Sequence, residues 1–287
     1  MGAIALAALL VSLPLGCAHG PSADPGDEPV IHQRIALQDD GLVEIELLDA
    51  EGAPPRLGVR RLGRCGPAEA EGVDPATARE VAAAVRKGTP LEAALPGALA
   101  GEAPPWRPTL LVGAYRLETR TAADRYGSHL QVVLVGKGDD AVEVARTGEG
   151  VEVMLAPAGE GAALLGIEGP GTRRDVRVID VEAAARRLHV ERGERLLAAG
   201  RHEAARAEIA AASQLAPCGP DGALPWLESR VLAAQGAPAA AILDALEEAI
   251  AADPTLYRMY ARTAPELAPL RDEPRFVELT RPRPLSR

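Results

Sequence analysis

The sequence predicts an α+β protein: a mainly antiparallel β domain with one helix, followed by an all-α domain of helical hairpins. Three observations predict it. In residues 30–180, apolar side chains alternate at period two between clusters of Gly, Pro, Asp and Thr. Among them one segment, 74–87, carries both helix-start and helix-stop residues. Beyond Asp180 the apolar period becomes helical, and a pattern of small residues repeats. A chain of 287 residues has room for two domains, and 25% charged with 47% hydrophobic residues is a globular balance.

Taken in order, the chain starts with its one long apolar run, AIALAALLVSLPL at 3–15. The run is short of the ~20 residues a membrane span needs. It reads as the apolar region of a signal peptide covering 1–16, although MGAIAL brings no Lys or Arg. Gly16 and Cys17 follow, then the polar AHGPSADPGDEP, so residues 17–29 read as a flexible tether. The stretch LPLGC resembles the lipobox of bacterial lipoproteins, with Leu15 and Gly16 at the apolar and small positions and Pro14 where Leu is usual. The resemblance implies that Cys17 is lipid-modified after cleavage. Two or three acyl chains hold a protein firmly to a membrane where one holds only marginally. Ala18 stands where an Asp would resemble an inner-membrane retention signal, so the resemblance places the protein on the periplasmic face of the outer membrane.

From Val30 the strand pattern begins. In LVEIELL, 42–48, Val43, Ile45 and Leu47 alternate with Glu44 and Glu46, the mark of a half-buried strand. Asp40-Gly41 before it is a hairpin-turn pair. DPATAREVAAAVRK, 74–87, opens on an Asp cap with Pro next and stops at Gly88, which predicts one helix able to cover a sheet face. Six segments then read as short antiparallel strands: PTLLVGAYRLET, SHLQVVLVG, AVEVART, GVEVMLA, AALLGIEG and RDVRVIDV. Turn residues separate them, among them Ala123-Asp124 and Gly136 to Asp140. Such a run suggests a sandwich, an open sheet or a small barrel.

Composition excludes some partners. A net charge of −10 gives no general attraction for phosphate backbones, and 2% aromatic residues are too few for base-stacking platforms, so no nucleic acid partner is expected. Catalytic and metal patterns are not found. The histidines at 19, 32, 129, 189 and 202 form no ligand spacing, no serine sits in a nucleophile elbow, and no cofactor is implied. In DRYGSHL, Asp124, Ser128 and His129 are close in sequence, but neighbours in a strand point to opposite faces, so a turn is the better reading. Cys65 and Cys218 remain. In an oxidising compartment they either bridge, closing a loop worth roughly 4–5 kcal/mol in the chain-entropy account, or stay as two thiols.

The segment ERGERLLAAGRHEAARAEIAAASQLAP, 191–217, resembles a tetratricopeptide repeat through Gly193, Leu196, Gly200, Ala205, Ile209, Ala212 and Pro217. A second unit, 223–254, shares Gly236, Ala249 and Pro254 but carries one extra residue between turn and second helix. Residues 256–279 are similar to the closing helices that follow such repeats. The resemblance implies a helical-repeat domain at 181–279, before a tail at 280–287, and a groove that binds a protein or peptide. In that geometry Arg187, Glu194, Trp226 and Arg230 turn toward the groove, with Trp226 equally readable as a plug between helices. The sequence therefore predicts an exported, lipid-anchored envelope protein that binds or scaffolds partners. The alternative is an envelope hydrolase or transferase with its site in residues 30–180.

Overall fold

The computed structural model describes residues 30–282 except 39–40, 126, 139 and 171–174. The signal peptide, Cys17, the tether and the end of the tail lie outside the described residues. The fold is α+β, with three antiparallel sheets, helices between the first sheet and the other two, and further helices after the last strand. In the first sheet β1 (Val30–Gln38), β2 (Gly41–Asp49) and β3 (Arg56–Gly63) pair in order, with β4 (Gly66–Pro67) and β5 (Glu71–Gly72) as two-residue additions to β3. Gln38 pairs with Gly41, so Gly41 is the first residue of β2.

The helix α1 (Pro75–Arg86) forms for the reasons its sequence advertises. The Asp74 carboxylate accepts from the amides of Ala76 and Thr77, and Pro75 occupies the first turn, where an amide has no helical partner. Gly88 adopts a positive φ of 88° and closes the end, while Thr89 donates back to the Ala84 carbonyl. Two single-turn helices, α2 (Leu91–Ala94) and α3 (Gly97–Ala100), follow it, so this region has three helices rather than one. Ala78, Val81 and Ala82 of α1 pack with Leu91 and Leu95 on one face of the first sheet, against Ala36, Val43, Ile45, Leu47 and Leu57.

The other two sheets are built from hairpins. β6 (Thr109–Val112), β7 (Tyr115–Asp124), β8 (Gly127–Val135) and β9 (Ala141–Thr147) form one, and β10 (Glu152–Pro157), β11 (Ala162–Glu168) and β12 (Asp175–Asp180) form the other. PTLLVGAYRLET is thus two strands: Gly113 takes φ 58° and turns the chain inside it. Ala123 and Asp124 are the end of β7 and not a turn, pairing with Ser128 and Gly127. The three-stranded sheet is the middle layer. Val153, Leu155, Ala163, Leu165 and Ile179 face the four-stranded sheet, while Ala156 and Leu164 face Ile35 and Leu42 of the first sheet. β11 is therefore buried on both faces, which is why its sequence shows an apolar run instead of alternation.

Helices α4 (Val181–Ala198) and α5 (His202–Ser213) form one hairpin, and α6 (Ala223–Ala234) and α7 (Ala239–Ala252) another. α8 (Pro254–Thr263), a 3-10 turn (Ala268–Leu270) and α9 (Pro274–Thr280) end the array. α4 belongs to two cores. Val181, Ala184, Ala185 and Leu188 close the core between the middle and four-stranded sheets, and Val190 and Leu197 join Ala205, Ile209, Leu224, Leu227 and Val231 among the helices. The contact with the sheet is close: a Cβ at Gly136 would lie 2.6 Å from a Leu188 methyl.

A disulfide joins Cys65, in the β3–β4 turn, to Cys218, in the α5–α6 loop, with Cα atoms 5.0 Å apart at a sequence separation of 153. Arg64 beside it pairs with Glu182 of α4, and Glu182 also accepts from the Ala216 amide. Loop closure on that scale is worth on the order of 5 kcal/mol. Denaturant unfolding of the Cys65→Ser/Cys218→Ser protein is expected to show a loss of stability of that order, with the sheets and helices still formed in the absence of denaturant. Equal midpoints for wild type and variant would remove the disulfide from the stabilising interactions.

Candidate functional site

One ionic cluster joins α4, α6 and the segment after α8. Arg230 of α6 donates to Glu194 of α4 at 2.5 Å and to Glu266, just past α8, at 2.8 Å, and each partner is 36 residues away in sequence. The turns obey the same step. Gly200 and Gly236 both adopt φ near 70°, Arg201 donates to the Leu196 carbonyl and Ala237 to that of Leu232. A positive φ is what a glycine supplies after the last helical residue, and the paired back-bonds satisfy carbonyls the helix leaves open. The second unit's extra residue falls in its turn: α5 starts two residues after Gly200, α7 three after Gly236. Gly193 sets the spacing of the first pair against α6, because a Cβ there would lie 2.5 Å from a Leu227 methyl.

Beside this ionic row lies most of the chain's small aromatic complement. The Trp226 ring is 5.9 Å from Tyr257 and 6.0 Å from Tyr260, and the Arg230 guanidinium lies 5.5 Å from the Trp226 centroid. Trp226 is only 8% exposed and packs with Leu243, Leu246 and Phe276, so it is chiefly a plug between helices. Tyr260, which the sequence reading did not single out, is 39% exposed and carries the aromatic surface outward. Burial pushes the Tyr257 hydroxyl up to about 12, with Asp221 and Asp253 adding to it, so that phenol stays neutral. Burial opposes ionisation of Glu266, but the Arg230 hydrogen bond and charge outweigh it and hold that carboxyl below its ordinary range. The Nε of Arg230 and the second oxygen of Glu266 are buried without a hydrogen-bond partner.

Arg187 stands apart from this cluster. It donates to the backbone carbonyl of Glu143 on β9 and lies 3.9 Å from Glu191. It joins the helices to the sheet, as do its neighbours. Arg192 donates to Asp140 (2.7 Å) and to the Lys137 carbonyl (2.7 Å), and Arg195 to Asp140 (2.9 Å). Glu208 of α5 takes a 2.6 Å hydrogen bond from Nδ1 of His189, which leaves Nε2 to accept from the Tyr115 hydroxyl of β7 at 3.0 Å. Periodicity places Arg187 on a helix face; only the tertiary fold reveals that a strand edge lies against that face.

In the β layers, a cleft of about 360 Å³ is lined by Glu44, Glu46, Glu71, Arg56 and Arg60. Glu44 is buried, and Arg60, its cross-strand neighbour, pairs with it. Ser128 is exposed and His129 buried, on opposite faces of β8. Among the described residues there is no group of three or more His, Cys, Asp or Glu that could hold a metal, and no helix long and apolar enough to cross a membrane.

Replacing Arg230 by Met leaves Glu194 and Glu266 facing each other without their cation. The expected cost at neutral pH is about 3 kcal/mol, the lower end for breaking a buried pair. Because the folded carboxyl of Glu266 lies below its ordinary value of 4.5, the stability it contributes is present above that value and is lost as pH falls through the folded one. Urea titrations at neutral and acid pH should therefore show a gap between wild type and R230M that narrows on acidification. A gap independent of pH would assign the loss to packing alone.

In comparisons with known proteins the chain matches no family model, no curated protein and no solved structure.

Proposed function

We propose that this protein is an exported, lipid-anchored component of the bacterial envelope that binds or scaffolds a partner protein through tetratricopeptide-like repeats. One observation carries the reading. Glu194, Arg230 and Glu266 recur at a 36-residue step and meet in space, so α4, α6 and the segment after α8 present equivalent positions along one face. An array of equivalent positions is the architecture of repeat proteins, whose extended surfaces serve recognition. Gly193, Ala205 and Ala212 support the tetratricopeptide-like assignment, since all three are buried where helices approach closely. The lipobox-like LPLGC supports the anchor and an outer-membrane, periplasm-facing location.

On this reading the residues offered to a partner are the accessible ones on that face, Glu194 at 34% and Tyr260 at 39%, with Trp226 and Arg230 as their support. Arg187 acts in the joint with the sheet, and charge reversal there would disturb packing as well as recognition. Affinity capture from native envelope with the anchored chain identifies the partner. The Tyr260→Ala variant is expected to bind that partner at least about tenfold more weakly while unfolding near the wild-type midpoint, because an exposed side chain of this kind contributes to binding more than to folding. Equal capture by the variant would move recognition away from this face. Cys17→Ser should release the protein from membranes, and wild type recovered wholly soluble would remove the anchor.

A further inference from the structure

At the C-terminal end of the helical array, Arg262, Arg271 and Arg281 line one cavity of about 320 Å³ together with Phe276, Val277 and Thr280. Among the described residues no carboxylate lines it. Asp272, Glu273 and Glu278 are near in sequence, but none of them is part of its wall. Among the described residues none of these three guanidinium groups is in an ion pair. Local acids are not in short supply. Arg275, on the same helix α9, holds both Asp244 and Glu247.

A guanidinium has five N–H donors. Arg262 uses Nε toward the Arg258 carbonyl (3.1 Å) and Arg271 one terminal nitrogen toward the Ala264 carbonyl (3.4 Å). The Arg281 side chain has no hydrogen bond among the described residues. Positive side chains are expected where helices end, since each C-terminus carries the equivalent of roughly half a negative charge. The ends of α8 and α9, at Thr263 and Thr280, thus offset about one of the three charges. An excess of about two positive charges remains in a chain whose net charge is −10.

We propose that this cavity binds a phosphate monoester group. Near neutral pH such a group carries about −1.5 to −2 charges and three acceptor oxygens, which matches the excess charge, and guanidinium forks fit its geometry. A carboxylate would cancel only half of the excess. The buried Phe276 ring and Val277, 46% exposed, supply an apolar wall for the carbon group that the phosphate esterifies. The site is separate from the Glu194–Arg230–Glu266 row and stands independently of the partner-binding reading.

Titration calorimetry of the full chain near neutral pH, with phenyl phosphate and with inorganic phosphate, tests it. Saturable binding is expected for both, tighter for phenyl phosphate, and weakened at least about tenfold in Arg262→Gln/Arg281→Gln, since bonds to charged groups are the strong ones. Should that double variant fail to fold, Arg281→Gln alone, at an exposed position beyond the last helix, is expected to weaken binding in the same direction. A second arm measures sedimentation of the Cys17→Ser chain with phosphatidylcholine vesicles, with and without phosphatidic acid. A gain that needs the arginines places the phosphate on a lipid; no gain, with phenyl phosphate still bound, places it on a soluble ligand, and either upholds the site. No saturable phosphate binding by wild type, or equal binding by wild type and variants, overturns it.

Discussion

The structure depends on one helix serving two cores. The first turns of α4 bury Val181, Ala184, Ala185 and Leu188 among the strands, and its later turns bury Val190 and Leu197 among the helices. An amphipathic helix normally spends one stripe on one core. α4 instead changes the face it buries along its length, so neither part of the chain has a complete core without it. Asp180 marks the end of the strands, yet the packing runs through it without interruption. Two and a half helical units bury too little to stand alone by the usual measure of repeat arrays, and here the sheets supply the missing neighbour.

Around that shared helix the contacts are mostly charged. Arg64 with Glu182, Arg192 and Arg195 with Asp140, and His189 between Tyr115 and Glu208 all run from strands or their turns to helices. Pairs of this kind contribute little at an open surface, as for the half-exposed Arg195, but Arg64 with Glu182, Arg192 with Asp140 and His189 with Glu208 are partly buried. The disulfide acts differently. It restricts the unfolded chain across 153 residues and leaves the folded contacts much as they would otherwise be. Apolar burial thus joins the two parts, the ion pairs set their orientation, and the covalent bond limits how far they separate on unfolding.

Much of this was legible in the residues, and the exceptions have physical causes. α1 was readable because capping is local: Asp74, Pro75 and Gly88 act on atoms within a few residues. The strands from β8 to β12 were readable because turn residues separate them. The break inside PTLLVGAYRLET was missed because one glycine turns the chain where the apolar pattern continues on both sides. Glu44 read as solvent-facing by alternation, yet its face of β2 carries Arg60 across the ladder and is buried. For the candidate site, the 36-residue step among Glu194, Arg230 and Glu266 is present in the sequence, but charges at that distance signify nothing until helices stack. Arg187 could not be placed, since the strand edge it meets comes from β9, far away along the chain.

These observations constrain how the helical face could recognise anything. Most of its charged groups are already committed to one another. Arg230 spends its charge on two carboxylates and its planar face on Trp226, so it is held in place by the fold and has little left to offer a ligand. On the proposed reading, such a residue serves recognition by fixing its neighbours. With Trp226 immobilised, Tyr260 is held against a rigid ring, and Glu194 keeps one orientation because Arg230 pins it. A side chain ordered before a partner arrives loses less conformational freedom when the complex forms, at roughly 0.5–1.5 kcal/mol for each one. On the proposed reading, Trp226 and Arg230 are then the support, and the surface offered to a partner lies one layer further out, on Tyr260 and the exposed part of Glu194.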